Sequence, residues 1–246
     1  MSWHDAYRSP LQSVWGLTVG PVLFLVWLAL APRPARPGAD PAAARVVRVW
    51  ALVFAAESIA DATLPALAGV PMLLFVLLGD WRVFVLVEAV SAPDRPLGRH
   101  LVVAAAWTLV VPLVTAVTYL AVVARGAVSP GTMLSILAEA ASSQALWLVY
   151  EVAFSVLALV QRGAILPRRR PVALRYLRAV WAWVIGYYVL WACADMLILA
   201  GDDRGWLLRM LPNQLYYGLF VPFAYLRFFA SSPESAATRS LVQACR

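Results

Sequence analysis

Lysine is absent from this chain: all twenty basic side chains are arginine, set against thirteen aspartates and glutamates. That absence excludes a covalently bound retinal, which needs a lysine amine for its Schiff base. Cysteine is nearly absent too, and Cys193 and Cys245 offer neither a disulfide framework nor a metal-ligand spacing. The two histidines, His4 and His100, fall at the ends of apolar segments. This argues against a membrane haem held by two histidines and against the multi-histidine centre of a metal-dependent lipid hydrolase. Charge is scarce as well. Charged residues make up 13% of the chain, where soluble domains carry roughly 25%. With 63% hydrophobic residues and a mean hydropathy of +0.76, the chain reads as a polytopic membrane protein.

Stretches long enough to cross about 30 Å of hydrocarbon fall at residues 12–31, 46–67, 70–90, 101–124, 138–161, 178–200 and 208–230. Only helices and closed barrels satisfy the backbone in lipid, and continuous apolar runs without ten-residue alternation argue against a barrel. The expectation is an all-α fold with seven transmembrane helices. Arginine placement sets the orientation, because cytoplasmic loops retain positive charge. With the first loop inside, the inner set holds fifteen arginines, among them Arg33, Arg45, Arg99, Arg168 and Arg178, and the outer set only Arg8, Arg125, Arg204 and Arg209. The N-terminus is then outside and the C-terminus inside.

The net charge of +7 follows from this topology and from contact with anionic lipid. Spread over membrane-flanking loops, the arginines form no face for nucleic acid. The compact, loop-poor build points to a bacterial inner membrane. Ala29-Leu30-Ala31 resembles a signal-peptide cleavage site, but Pro32 would follow the cut and Asp5 sits beside Arg8 in the n-region, so the first helix is expected to be retained.

Residues 9–99 and 141–239 read as the same three-helix unit written twice. Gln12-Ser13-Val14-Trp15 opens the first unit and Gln144-Ala145-Leu146-Trp147 the second. Basic loops follow in both, leading to Arg45, Arg48, Trp50 and to Arg175, Arg178, Trp181. Ala60-Asp61 matches Ala194-Asp195, and Ser91-Ala92-Pro93-Asp94 matches Ser231-Ser232-Pro233-Glu234. Two three-helix units share an orientation only if a further crossing separates them. The predicted organisation is therefore a first bundle at 1–99, a linker helix at 100–130 exposed to lipid, and a second bundle with a cytoplasmic tail at 131–246.

An ionisable side chain near the bilayer centre costs on the order of 2.5–3.5 kcal/mol, so it faces a partner, a cavity or water. Glu57 and Asp61, spaced i, i+4, share a helix face. Asp80 and Arg82 lie about 200° apart on their helix and cannot pair with each other. Counting outward from a turn near Ala68 brings Arg82 within one turn of Glu57, which nominates that pair and leaves Asp80 to a different helix or a cavity. Counting from a turn near Asp203 brings Asp195 level with about Leu211, close to Asn213 and Gln214. No basic partner is evident for Asp80 or Glu151, so each is a candidate binder of a proton or cation. Asn213 and Gln214 follow Pro212, whose missing N–H can expose carbonyls. Trp81, Tyr150, Tyr187, Tyr188 and Trp191 are candidates to stack on a planar ligand, with packing the commoner role of such rings.

In its three-plus-one-plus-three arrangement the chain resembles the SWEET and PQ-loop transporters and the PnuC vitamin-precursor transporters. The resemblance implies a small neutral or cationic solute moved through a central site between two bundles. The Pro-Gln dipeptide of the PQ-loop proteins does not occur here, and no family substrate residue is carried over. Leu77-Leu78-Gly79-Asp80 lacks the first glycine of the Gly-x-Gly-Asp signature of intramembrane aspartyl proteases.

The expected function is a transporter of a small solute, coupled to a proton or cation, working by rocking one bundle against the other. Its site residues would be Glu57, Asp61, Asp80, Arg82, Glu151, Asp195, Asn213 and Gln214, with no cofactor, metal or catalytic residue. Its partners would be the lipid bilayer and the solute or proton, with a second copy or another membrane protein also compatible. The alternative is a seven-helix sensor or assembly subunit whose charges are structural.

Overall fold

The computed structural model describes residues 2–30, 41–63, 70–123, 143–169 and 173–230. The loop residues at 32–40 and 170–172, the turn near Ala68, Arg125, Glu139 and the tail with Ser231, Pro233 and Cys245 lie outside them. Among the described residues the fold is all-helical. A short α1 (Trp3–Arg8) leads to a π-helical turn, π1 (Leu11–Trp15), and on into α2 (Gly16–Leu30). Then come α3 (Pro41–Thr63), α4 (Val70–Ser91) and α5 (Leu97–Val123). The second half holds α6 (Gln144–Val160), π2 (Gln161–Ile165), α7 (Leu166–Arg169) and α8 (Leu174–Leu199). It closes with α9 (Arg204–Asn213), π3 (Gln214–Leu219) and α10 (Phe220–Ala230). Among the described residues, three helices are long and apolar enough to cross a membrane, at Leu97–Thr118, Gln144–Arg168 and Leu174–Leu199.

Several helices begin about four or five residues before the apolar stretch read from the sequence: α3 at Pro41, α5 at Leu97, α8 at Leu174 and α9 at Arg204. Arginine and alanine are strong helix formers, and proline is favoured at the first helical position, so the helices continue past their apolar stretches into basic ends.

The core is built around α4. From 79 to 90 every residue of α4 is buried except the half-buried Trp81, as expected of a helix that is apolar all round. The Trp50 indole N–H donates to the Arg82 carbonyl at 2.8 Å and ties α3 to it, and the Trp81 indole donates to the Leu101 carbonyl at 3.1 Å and ties on α5. Phe84 packs against Trp107, Phe154 and Trp181. Helix α5, expected to be a lipid-exposed connector, is two-sided: Ala104, Thr108, Val111 and Thr115 are buried, while Val102, Leu109, Leu113 and Val117 face outward.

The turn between α8 and α9 fixes the second unit. Gly201 takes φ +81°, a conformation that costs a residue with a Cβ. Its N–H bonds the Ile198 carbonyl at 2.9 Å and the Asp202 N–H bonds the Leu197 carbonyl at 2.9 Å, closing α8 in a Schellman motif. In this exposed turn the Arg204 side chain hydrogen-bonds Asp202 and holds its carboxyl below the usual range. Helix α1 docks beside it. Asp203 accepts from the backbone N–H groups of Trp3 at 2.7 Å and His4 at 3.2 Å, and the rings of His4 and Tyr7 lie against Trp206. Asp203→Ala is expected to speed hydrogen exchange at the Trp3 and His4 amides by about fivefold or more, since both lose a charge-assisted bond. Unchanged exchange would show that ring packing alone holds α1.

Farther along, Pro212 removes a backbone donor and the chain widens into π3. Two of the π3 carbonyls take side-chain donors: Leu215 accepts from the Trp183 indole at 3.2 Å and Tyr216 from Arg82 Nη2 at 2.8 Å. The carbonyl that Pro212 leaves without a helical N–H is that of Leu208, one turn back; the Leu215 and Tyr216 carbonyls lie beyond the proline, in the widened turn, and are taken by the protein's own side chains.

Candidate functional site

Two clusters hold the ionisable groups, with Tyr216 between them. In the first, Arg82 on α4 is fully buried, and its Nη1 lies 3.4 Å from Glu57 Oε2 on α3, the pair expected from counting outward from the turn. The same nitrogen donates to Ser58 Oγ at 2.8 Å. The guanidinium carbon sits 4.1 Å from the Tyr216 ring centroid, a cation–π contact in a dry setting. Gly79, one turn earlier, makes room for this ring: a Cβ there would overlap the Tyr216 hydroxyl. Asp61, one turn on from Glu57, lies near the Tyr217 hydroxyl.

The second cluster surrounds a cavity of about 720 Å³. It lies between the start of the chain, represented by Tyr7 and Gln12, and the facing ends of α6, α8, α9 and π3. Glu151 on α6 lines it, 3% exposed. One Glu151 oxygen, Oε1, is 3.8 Å from Arg209 Nη2, and the other, Oε2, has no hydrogen-bond partner. Arg209 on α9 also pairs with the fully buried Asp195 on α8. Asn213 accepts from the Trp191 indole at 2.7 Å and donates to the Tyr7 hydroxyl at 3.3 Å. Gln214 lies against Gly16 at the start of α2.

Asp80 sits behind this wall, fully buried. Its two oxygens accept from the hydroxyls of Tyr150 and Tyr188, whose rings line the cavity. A carboxylate held by two hydroxyls and no cation can exchange a proton with its surroundings without breaking an ion pair.

The structure thus puts Glu151 and Asn213 on the wall of one cavity, with Asp80 behind Tyr150 and Tyr188 and Asp195 behind Arg209, and sets Glu57, Asp61 and Arg82 on the far side of Tyr216 and Tyr217. One expectation is corrected: Glu151 has a basic neighbour, Arg209, which loop charge assigned to the outer, solvated set. Its side chain is 15% exposed. The signal was available. From the turn near Asp203, Arg209 is six residues on and Asp195 eight back, about 9 and 12 Å at 1.5 Å per residue, hence level within a turn. Tyr150 and Tyr188, singled out only as possible stacking partners, are also the hydrogen-bond donors to Asp80. Comparison of the chain with protein-family models, with curated proteins and with solved structures gives no match.

Proposed function

We propose that this chain is an integral membrane transporter of a small solute, coupled to a proton or cation, in a bacterial inner membrane. In this reading it makes seven crossings with the N-terminus outside, and two parallel three-helix repeats joined by α5 rock against each other. The observation that carries the reading is the cavity of about 720 Å³ between elements of the two units, with Glu151 on its wall and Asp80 one layer behind it. Polar groups this deep among apolar helices mark solute or ion paths in membrane proteins, and sites between repeats are where transporters hold their cargo. With this orientation the cavity lies toward the outer side, beneath α1.

The test is uptake into proteoliposomes, with solutes drawn from a panel of sugars, nucleosides, amines, amino acids and divalent cations that raise the protein's melting temperature. Asp80→Asn keeps an acceptor for one tyrosine but removes the titratable group, so uptake is expected to fall by about tenfold or more. Wild-type uptake in that variant would remove Asp80 from the mechanism. A second reading, a membrane sensor or assembly subunit, is favoured by the two ion-paired arginines, Arg82 and Arg209, which lock helices together. Under it, amide variants of Asp80 and Glu151 lower abundance or partner recovery, and no solute is moved.

A further inference from the structure

Resting on that reading, we infer that the cavity takes an organic cation, an ammonium ion with an aromatic or other apolar body, held by Glu151 against the surrounding rings. The acid comes first. Glu151 lines the cavity with its side chain 4% exposed, and its buried Oε2 has no hydrogen-bond donor. Leaving such an oxygen unpaired is unfavourable, and buried polar atoms normally have partners. Arg209 does not fill the role, because its near contact is with Asp195 and it approaches only the other Glu151 oxygen, at 3.8 Å. An ammonium N–H supplies the missing donor and the opposite charge.

The walls come second. Trp147, Tyr150, Tyr188, Trp191 and Tyr216 line the same space. Their rings form a nearly continuous surface, with centroids 5.9 Å apart for Trp147 and Tyr150, 5.4 Å for Tyr188 and Trp191, and 5.1 Å for Trp191 and Tyr216. Aromatic faces carry partial negative charge and attract ammonium groups.

Other ligand classes fit less well. A sugar needs many free donors and acceptors, yet the Asn213 side chain is engaged with Trp191 and Tyr7. An anion finds Arg209 already paired and only the exposed Arg8 at the rim. Among the described residues no group of three or more His, Cys, Asp or Glu side chains is placed to hold a metal, whereas a divalent ion takes six or more oxygens.

The experiment uses the purified protein in detergent and follows quenching of its tryptophan fluorescence by three probes with the same phenol body and nearly the same size: tyramine, the neutral alcohol 2-(4-hydroxyphenyl)ethanol and anionic 4-hydroxyphenylacetate. Tyramine is expected to bind about tenfold or more tightly than either of the others, and Glu151→Gln to abolish that preference. Trp147→Leu, which leaves the Glu151, Arg209 and Asp195 side chains in place, is expected to weaken tyramine by about threefold to tenfold. Equal binding of the three probes, no binding of tyramine, or a Glu151→Gln variant that keeps the wild-type preference overturns the inference. Flux into proteoliposomes separates it from the reading beneath it. Selective binding of tyramine through Glu151 without translocation keeps the cation site and removes transport. Translocation of a neutral or anionic solute without cation selectivity keeps transport and overturns the cation site.

Discussion

Replacing Arg82 with methionine is expected to lower the melting temperature of the purified protein by roughly 6–12 °C, the equivalent of about 3 kcal/mol. Arg82 is fully buried and makes three polar contacts on two other elements: Glu57 at 3.4 Å and Ser58 at 2.8 Å on α3, and the Tyr216 carbonyl at 2.8 Å in π3. Methionine fills a comparable volume, so packing is largely kept and the loss is electrostatic. Glu57, 14% exposed, is left without its cation, and the Tyr216 carbonyl in the widened turn loses its donor. The double variant Arg82→Met, Glu57→Gln removes the orphaned charge and should recover about half of the loss. Arg82→Lys should not match wild type, because a single ammonium cannot reach Ser58, Glu57 and the Tyr216 carbonyl together while stacking on its ring. A melting temperature unchanged in Arg82→Met would mean that the three contacts offset their own desolvation and add nothing.

That pair was legible before any coordinates, and the reason is local. Glu57 and Arg82 sit on consecutive helices, so a short turn and a rise of about 1.5 Å per residue set their relative depth. The same arithmetic places Asp195 beside Arg209 once arginines near helix ends are not all assumed to be solvated. Asp80 is different. Its donors, Tyr150 and Tyr188, are 70 and 108 residues away, on helices whose order around α4 follows from packing and not from any count along the chain. Helix existence was similarly legible from apolar runs. Helix starts were not, because arginine-rich ends are poor lipid solutes but good helix formers, and hydropathy registers only the first property. The π-helical turn after Pro212 was beyond reach too. Proline signals a disturbed helix, but the donors that take carbonyls in the widened turn beyond it, here Trp183 and Arg82, come from elements distant in the chain.

Arg209→Gln should be at least as costly, on the order of 3–5 kcal/mol, because it strands two carboxylates at once. Asp195 is fully buried and Glu151 nearly so, and a glutamine amide neither carries the charge nor reaches both. Adding Asp195→Asn to Arg209→Gln replaces the ion pair with two amides that can bond each other, and should restore about half of the loss, because Glu151 stays without its cation. The double variant then asks a functional question that the single one cannot. With Arg209 neutral, Glu151 faces the cavity without a competing cation. If Glu151 is the anchor for an ammonium group, tyramine should bind the double variant more tightly than wild type, by about threefold or more, as a nearby like charge is removed. If Glu151 serves only to hold α9 through Arg209, the double variant gains nothing toward tyramine. Glu151→Gln would then cost stability in wild type but almost none in the double variant. Fluorescence titration and melting curves on the same four proteins distinguish these outcomes, because coupling of Glu151 to Arg209 registers in stability and coupling to a ligand registers in affinity.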